Sequence, residues 1–178
     1  MIKNIYKVSQ ILAFVPFMAI PSISLASHIG SLETTSVIKA EVSVDDVRQA
    51  KAQAIDVFFK DRSMPLEGTG MTFVLVAEKY GLDWRLLPAI GVRESSGGKA
   101  ACGYNAFGWG SCKLSNFSSY EQAIESIGKN LGGANPKTSR YYAGKSTMEK
   151  LYHYNGTVLA TYPDEVAQIM KMFETDMD

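Results

Sequence analysis

From Ser43 onward, apolar residues recur at three- and four-residue spacing, and no segment alternates cleanly enough to read as a strand. A chain patterned this way buries its apolar side chains by packing amphipathic helices on one another. Ser43, with Asp46 three residues on, predicts a helix start, with Val47, Ala50, Ala54 and Val57 on one face and an end near Asp61. Met64 to Gly68 reads as a connector. A second helix is expected over Met71 to Tyr80, closed by Gly81 in the left-handed cap position. A third runs from Trp84 to Arg93, and Pro88 either kinks it or starts its regular part. Ser118 with Glu121 predicts a fourth, carrying Ala123, Ile124, Ile127 and Leu131 on one stripe. Ser146 with Glu149 opens a short helix ending near Gly156. Pro163 marks the start of the last, where Val166, Ile169, Met170 and Phe173 share a face. The expected fold class is therefore mainly α, in one domain over residues 44–175. A chain of that size can bury roughly 70% of its unfolded surface.

The first 26 residues are of another kind. Lys3 and Lys7 precede an uncharged apolar run, Ile11 to Ile20, and Ser24-Leu25-Ala26 supplies small residues for a signal peptidase. The pattern predicts a signal peptide over residues 1–26, cleaved after Ala26, and an exported, periplasmic or cell-wall-associated protein. The rival readings are a buried N-terminal helix, which Pro16 and Pro21 would break, and an uncleaved anchor, for which the run is short. Residues 27–43, rich in Ser and Thr without periodicity, read as a flexible leader. The chain has 18 basic and 18 acidic residues, so losing Lys3 and Lys7 leaves a net charge of −2. Neither value suits a phosphate-binding surface, so no nucleic-acid partner is expected. No transmembrane span remains after signal removal. With 46% apolar and 20% charged residues the composition is globular and argues against wholesale disorder. Two His and two Cys are too few for most structural zinc sites, and neither metal nor cofactor is expected.

Glu94 lies in the last turn of the third helix, with Gly91, Ile90 and Leu87 on its stripe. An apolar surround and the negative end of a helix dipole both favour the neutral acid, the form a general acid needs. Taken alone, Glu94 reads rather as a solvated helix-end carboxylate folded back on Lys99. The following segment shifts that balance. From Ser95 to Tyr120 there is no Asp or Glu; the segment instead offers Ser95, Ser96, Tyr104, Asn105, Phe107 and Trp109. Aromatic faces stack on sugar rings, and Asn and Ser bond their hydroxyls. Loops of this length inside compact domains are commonly functional. Phe107 is expected in the core, and Trp109, between Gly108 and Gly110, exposed on the loop. Tyr104, Tyr141, Tyr142, Tyr152, Tyr154 and Tyr162 read mostly as half-buried tyrosines with wet hydroxyls. His153 is isolated from any ligand cluster. Cys102 and Cys112 flank the aromatic segment, and export permits a disulfide there that staples the loop, worth about 3 kcal/mol.

The stretch Leu87-Pro88-Ala89-Ile90-Gly91-Val92-Arg93-Glu94-Ser95 resembles the catalytic helix of bacterial lytic transglycosylases of the lysozyme-like superfamily. Asn105-Ala106-Phe107-Gly108 is similar to the Asn-x-Phe-Gly stretch of related bacterial glucosaminidases. Tyr154-Asn155-Gly156 resembles the family's Ala-Tyr-Asn-Ala-Gly motif, and Tyr162 a later Tyr before the last helix. The resemblance covers roughly residues 70–175. Two departures stand out: Phe107-Gly108-Trp109-Gly110-Ser111 replaces the usual Gly-Leu-Met-Gln, and Tyr154-Asn155-Gly156 lacks the intervening Ala.

This resemblance implies a lysozyme-like catalytic domain that cuts peptidoglycan glycan strands between N-acetylmuramic acid and N-acetylglucosamine. Glu94 would be the sole acid/base, and Ser95, Asn105, Trp109, Tyr154, Asn155 and Tyr162 would bind substrate, in a chain acting as a monomer. A hydrolytic glucosaminidase or muramidase is the enzyme rival. It needs a second carboxylate at a set distance, for which Glu121, Asp164 and Asp83 are the candidates. A catalytically silent glycan-binding or scaffold module of the cell envelope is the rival of another class.

Overall fold

The computed structural model describes residues 43–111 and 116–175. The signal-like segment, the leader up to residue 42, and Cys112 lie outside the described residues. At Ser43 the expected capping box is present: its hydroxyl accepts from the Asp46 N–H at 3.0 Å, and the Asp46 carboxylate accepts from the Ser43 N–H at 3.2 Å. These bonds start α1 (Val44–Asp61). The second helix, α2 (Gly70–Tyr80), ends as expected at Gly81, whose φ of 63° is the left-handed cap. Helix α3 (Leu86–Ser95) carries Pro88 at its third position, where no intrahelical N–H is needed.

Helix α4 (Tyr120–Leu131) starts one residue later than the Ser118–Glu121 pair predicts. Ser119 takes the cap, accepting from the Gln122 N–H at 3.2 Å, while the Gln122 side chain reaches back to the Ser118 N–H at 2.6 Å. Two short helices follow, α5 (Ser139–Tyr142), which the periodicity does not announce, and α6 (Thr147–Leu151). The capping box of Ser146 and Glu149 opens α6 as expected. A π-helical turn, Tyr152–Gly156, extends α6, and α7 (Tyr162–Thr175) closes the described chain with Pro163 in its first turn.

The described residues contain no strand, only an isolated bridge between Cys102 and Asn105. They belong to one unit, in which α1 pairs with α2, α2 with α4, and α3 with α7. No helix among them is long and apolar enough to cross a membrane.

The buried face of α1 is only partly the expected one: Ala54 is buried as expected. Val47 and Val57 are 40% and 36% exposed, whereas Ala52, Ile55, Phe58 and Phe59 are buried. Two phenylalanines and an isoleucine remove far more apolar area from water than valines and alanines, so they set the helix's rotation. From there an aromatic chain crosses the core: Phe58 packs on Phe173 at 4.4 Å between ring centres, Phe59 on Phe73 at 6.0 Å, and Phe73 on Phe107 at 6.4 Å. Phe107 is fully buried, as expected, and anchors the loop that follows α3 to this core.

One close approach holds α1 and α2 together. A Cβ at Gly70 would lie 2.2 Å from the Ala52 carbonyl oxygen, and the Gly70 N–H donates to Asp56 Oδ1 at 2.8 Å. Backbone cannot yield as a side-chain tip does. Gly70→Ala is expected to destabilise the fold by about 1–3 kcal/mol, read as a lowered midpoint in thermal unfolding; an unchanged midpoint would show that the two helices separate freely.

Candidate functional site

The buried residues Leu86, Leu87, Ala89, Ile90 and Gly91 pack α3 into the core and leave Glu94 at its C-terminal turn. A Cβ at Gly91 would lie 2.9 Å from Leu66 Cδ1 and 3.7 Å from Phe107 Cε1. Glycine here lets the helix approach the loop that faces Glu94. Ser95, next in sequence, is 4% exposed. Its hydroxyl lies 2.7 Å from the Ala106 carbonyl and 3.1 Å from that of Gly91, and it accepts from the Gly98 N–H at 2.9 Å. One hydroxyl proton serves one acceptor best, and the shorter contact is to Ala106. Ser96 then takes the left-handed cap with φ 53°.

The loop beyond is held from within. Asn105 is buried, with its Nδ2 donating to the Trp109 carbonyl at 2.9 Å and its Oδ1 accepting from the Trp109 N–H at 3.2 Å. Between them, Gly108 has φ 62°, and a Cβ there would lie 3.1 Å from Glu94 Oε2. Both the backbone angle and the proximity of the carboxyl favour glycine at this position. The π-helical turn brings Tyr154 and Asn155 to the same place. A π-turn widens a helix by one residue and recurs at functional sites. The Tyr154 hydroxyl donates to the Phe107 carbonyl at 2.6 Å.

The result is a cleft of about 520 Å³ lined by Glu94, Phe107, Gly108, Trp109, Gly110, Tyr142, Tyr154 and Asn155. Of the expected site residues, Glu94, Trp109, Tyr154 and Asn155 meet there. Ser95 and Asn105 lie behind the lining, bonded to the loop backbone. Tyr162 is fully buried, stacked on Tyr154 at 5.9 Å and 7° between ring planes. Trp109 is half-buried rather than exposed, because its ring packs against Tyr154 at 5.5 Å and Tyr142 at 6.4 Å. Tyr142 lines the cleft although no sequence signal singles it out, and so does Gly108, which stands in the Asn105–Gly108 stretch but not among the expected site residues. Glu94 does not fold back on Lys99: its Oε1 is buried and has no partner of full hydrogen-bond geometry among the described residues, and the Tyr162 hydroxyl, in the same state, lies against the Glu94 carboxyl.

The electrostatics keep the phenols neutral. Burial, and then the charge of Glu94, push the Tyr154 hydroxyl well above the ordinary phenol range. Burial first, then Tyr154 and Glu94, push Tyr162 upward. Burial raises Tyr142 to about 12. Arg93 is absent from the cleft lining; it pairs with Glu165 at 2.6 Å, and its guanidinium carbon lies 5.8 Å from the Tyr162 ring centre. Glu94 is the one carboxylate among the described lining residues. Glu121 sits at the start of α4, where the Ser119 hydroxyl and its own N–H hold its carboxyl low. Burial opposes ionisation of Asp83, yet bonds from Arg85 outweigh it and hold that carboxyl low too; the pair lines a different groove with Glu174. The described residues hold no group of three His, Cys, Asp or Glu placed to bind a metal.

No protein-family model, curated protein or solved structure matches the chain. The reading of the cleft therefore rests on its own geometry. That geometry makes the Tyr154 hydroxyl a strut of the loop. Tyr154→Phe is expected to cost about 1 kcal/mol, seen as a lower thermal midpoint, because the Phe107 carbonyl loses its donor. An unchanged midpoint would show that the bond contributes nothing net.

Proposed function

We propose that the protein is a peptidoglycan-cleaving enzyme of lysozyme-like architecture, a lytic transglycosylase with Glu94 as its single acid/base. The observation that carries the reading is one carboxyl, its Oε1 buried and unpartnered, in an aromatic cleft whose described lining offers no second carboxylate. In this reading Glu94 gives its proton to the glycosidic oxygen as the bond from the muramic acid C1 breaks. The carboxylate then takes the proton of that sugar's own C6 hydroxyl, whose oxygen bonds to C1 and closes an anhydro ring. One residue serves both halves and no water is added. Trp109 and Tyr154 offer the aromatic surface for the sugars, and Asn155 the amide for their polar groups. Ser95 and Asn105 act indirectly, by fixing the loop.

The hydrolase rival needs a partner acid within about 5–9.5 Å, and Glu121, Asp83 and Asp164 are all absent from the lining. The silent-module rival gives no reason for an unpartnered carboxyl oxygen. Product mass decides between the enzymes. Anhydro products run about 18 mass units below hydrolysis products; hydrated reducing ends would overturn the transglycosylase reading. Glu94→Gln keeps the shape and removes the transferable proton, so cleavage is expected to fall by at least ~10²–10⁴-fold with the thermal midpoint retained. Full activity in that variant would remove Glu94 from the site.

Export after cleavage at Ala26 and a Cys102–Cys112 disulfide belong to the same proposal. Both fit an enzyme whose substrate lies in an oxidising compartment. Titration of the native exported protein is expected to find no free thiol; two free thiols would exclude the staple.

A further inference from the structure

Beyond the cleft the rings do not stop. Tyr142, which lines it, has its ring centre 6.4 Å from that of Tyr141. Tyr141 is 5.8 Å from His153, and His153 is 5.6 Å from Tyr152. Helix α5 and the π-helical turn thus hold a continuous row that leaves the cleft and ends in solvent. Tyr141 is 39% exposed and Tyr152 52%. Among the described residues the other aromatic as open to water is Tyr104, at 46%, and it lies edge-on against Tyr120. Exposed aromatic surface gathered in one place marks a binding surface more often than scattered exposure does.

Tyr141 is also held. The Arg140 guanidinium sits 4.6 Å over its ring centre, and Nη2 donates to its hydroxyl at 2.6 Å. A ring fixed before binding loses little conformational freedom when a ligand arrives.

We propose that Tyr141, His153 and Tyr152 form an outlying shelf for the glycan strand, taking N-acetylhexosamine units beyond those in the cleft. The argument for this occupant is adjacency to the cleft: Tyr142, itself 4% exposed, lines the cleft and packs on Tyr141, and His153 directly precedes the lining residues Tyr154 and Asn155 in the same π-helical turn, so a polymer leaving the cleft on this side meets the shelf. Phenol and imidazole edges suit a ligand with both C–H faces and hydroxyls, which stack and hydrogen-bond at once. The consequence is a preference for long strands over short oligosaccharides. The shelf rests on the glycan-cleaving reading above, and it touches none of the groups that break the bond.

The test is the double variant Tyr141→Ala, Tyr152→Ala, assayed on purified sacculi and on a peptidoglycan tetrasaccharide. Binding to sacculi is measured in parallel by sedimentation, in the Glu94→Gln background. Both side chains are exposed, so the thermal midpoint is expected to hold. On sacculi, KM and the binding constant are expected to weaken roughly tenfold, with kcat and tetrasaccharide cleavage unchanged. Cleavage with an unaltered KM on sacculi and unaltered sedimentation would overturn the shelf and leave the active site standing. Sedimentation that depends on the two tyrosines, without any cleavage by the native enzyme, would uphold the shelf and sink the catalytic reading. A native protein that does not sediment with sacculi would sink both.

Discussion

The Ser95 hydroxyl is the joint on which the site turns. It is buried at the end of α3, donates to the Ala106 carbonyl and accepts from the Gly98 N–H. Glu94 precedes it on the helix, and Phe107 follows Ala106 on the loop. One small side chain therefore sets the carboxyl against the wall it faces. The side chain cannot grow without displacing backbone on two sides, and it cannot lose its hydroxyl without leaving a buried carbonyl and a buried N–H unpaired, at a cost of about 1–3 kcal/mol each.

What Ser95 joins, the aromatic residues brace. Phe107 is clamped to the core through Phe73, so the loop cannot drift outward. Tyr154 reaches the Phe107 carbonyl from the opposite side and stacks on Tyr162. The loop is thus tied at its start by Ser95, in its middle by Tyr154, and across its own turn by Asn105. Each bond uses a polar atom that a sequence reading would assign to substrate. A site that must hold a carboxyl in fixed geometry needs such supporting bonds as much as it needs contacts to the ligand.

The same division explains how far the sequence was legible. Helix starts and stops were readable wherever a local rule decides them: Ser43 and Ser146 as caps, Gly81 as a left-handed terminus, and the stripe of α4. The rotation of α1 was not, because it depends on which residues find partners, and Phe58 and Phe59 find Phe173 and Phe73. Helix α5 is only four residues long and has no periodicity to detect. In the site, Glu94, Trp109, Tyr154 and Asn155 could be named from residue type and order. Tyr142 could not, and Gly108 enters only as part of the Asn105–Gly108 stretch, without a role. Tyr142 enters the cleft because α5 exists, and Gly108 matters because a carboxyl 14 positions earlier lies against it. Asn105 and Tyr162 look like ligand groups by type, and only tertiary contacts show that they face the protein.

Two polar atoms break the rule that buried groups are paired. Among the described residues these are Glu94 Oε1 and the Tyr162 hydroxyl. They are not scattered. Tyr162 stacks on Tyr154, and Glu94 lies close enough for its charge to act on both phenols. The two groups lie against each other without full hydrogen-bond geometry, so they recover only part of the about 1–3 kcal/mol that an unpaired buried group costs, against a total stability of about 5–15 kcal/mol for a domain. A fold optimised only for stability would replace Tyr162 with Phe and Glu94 with Leu, filling the same space without the penalty. Where local rules fail together at one point, and that point borders an aromatic cleft, the failures are better explained by function than by chance.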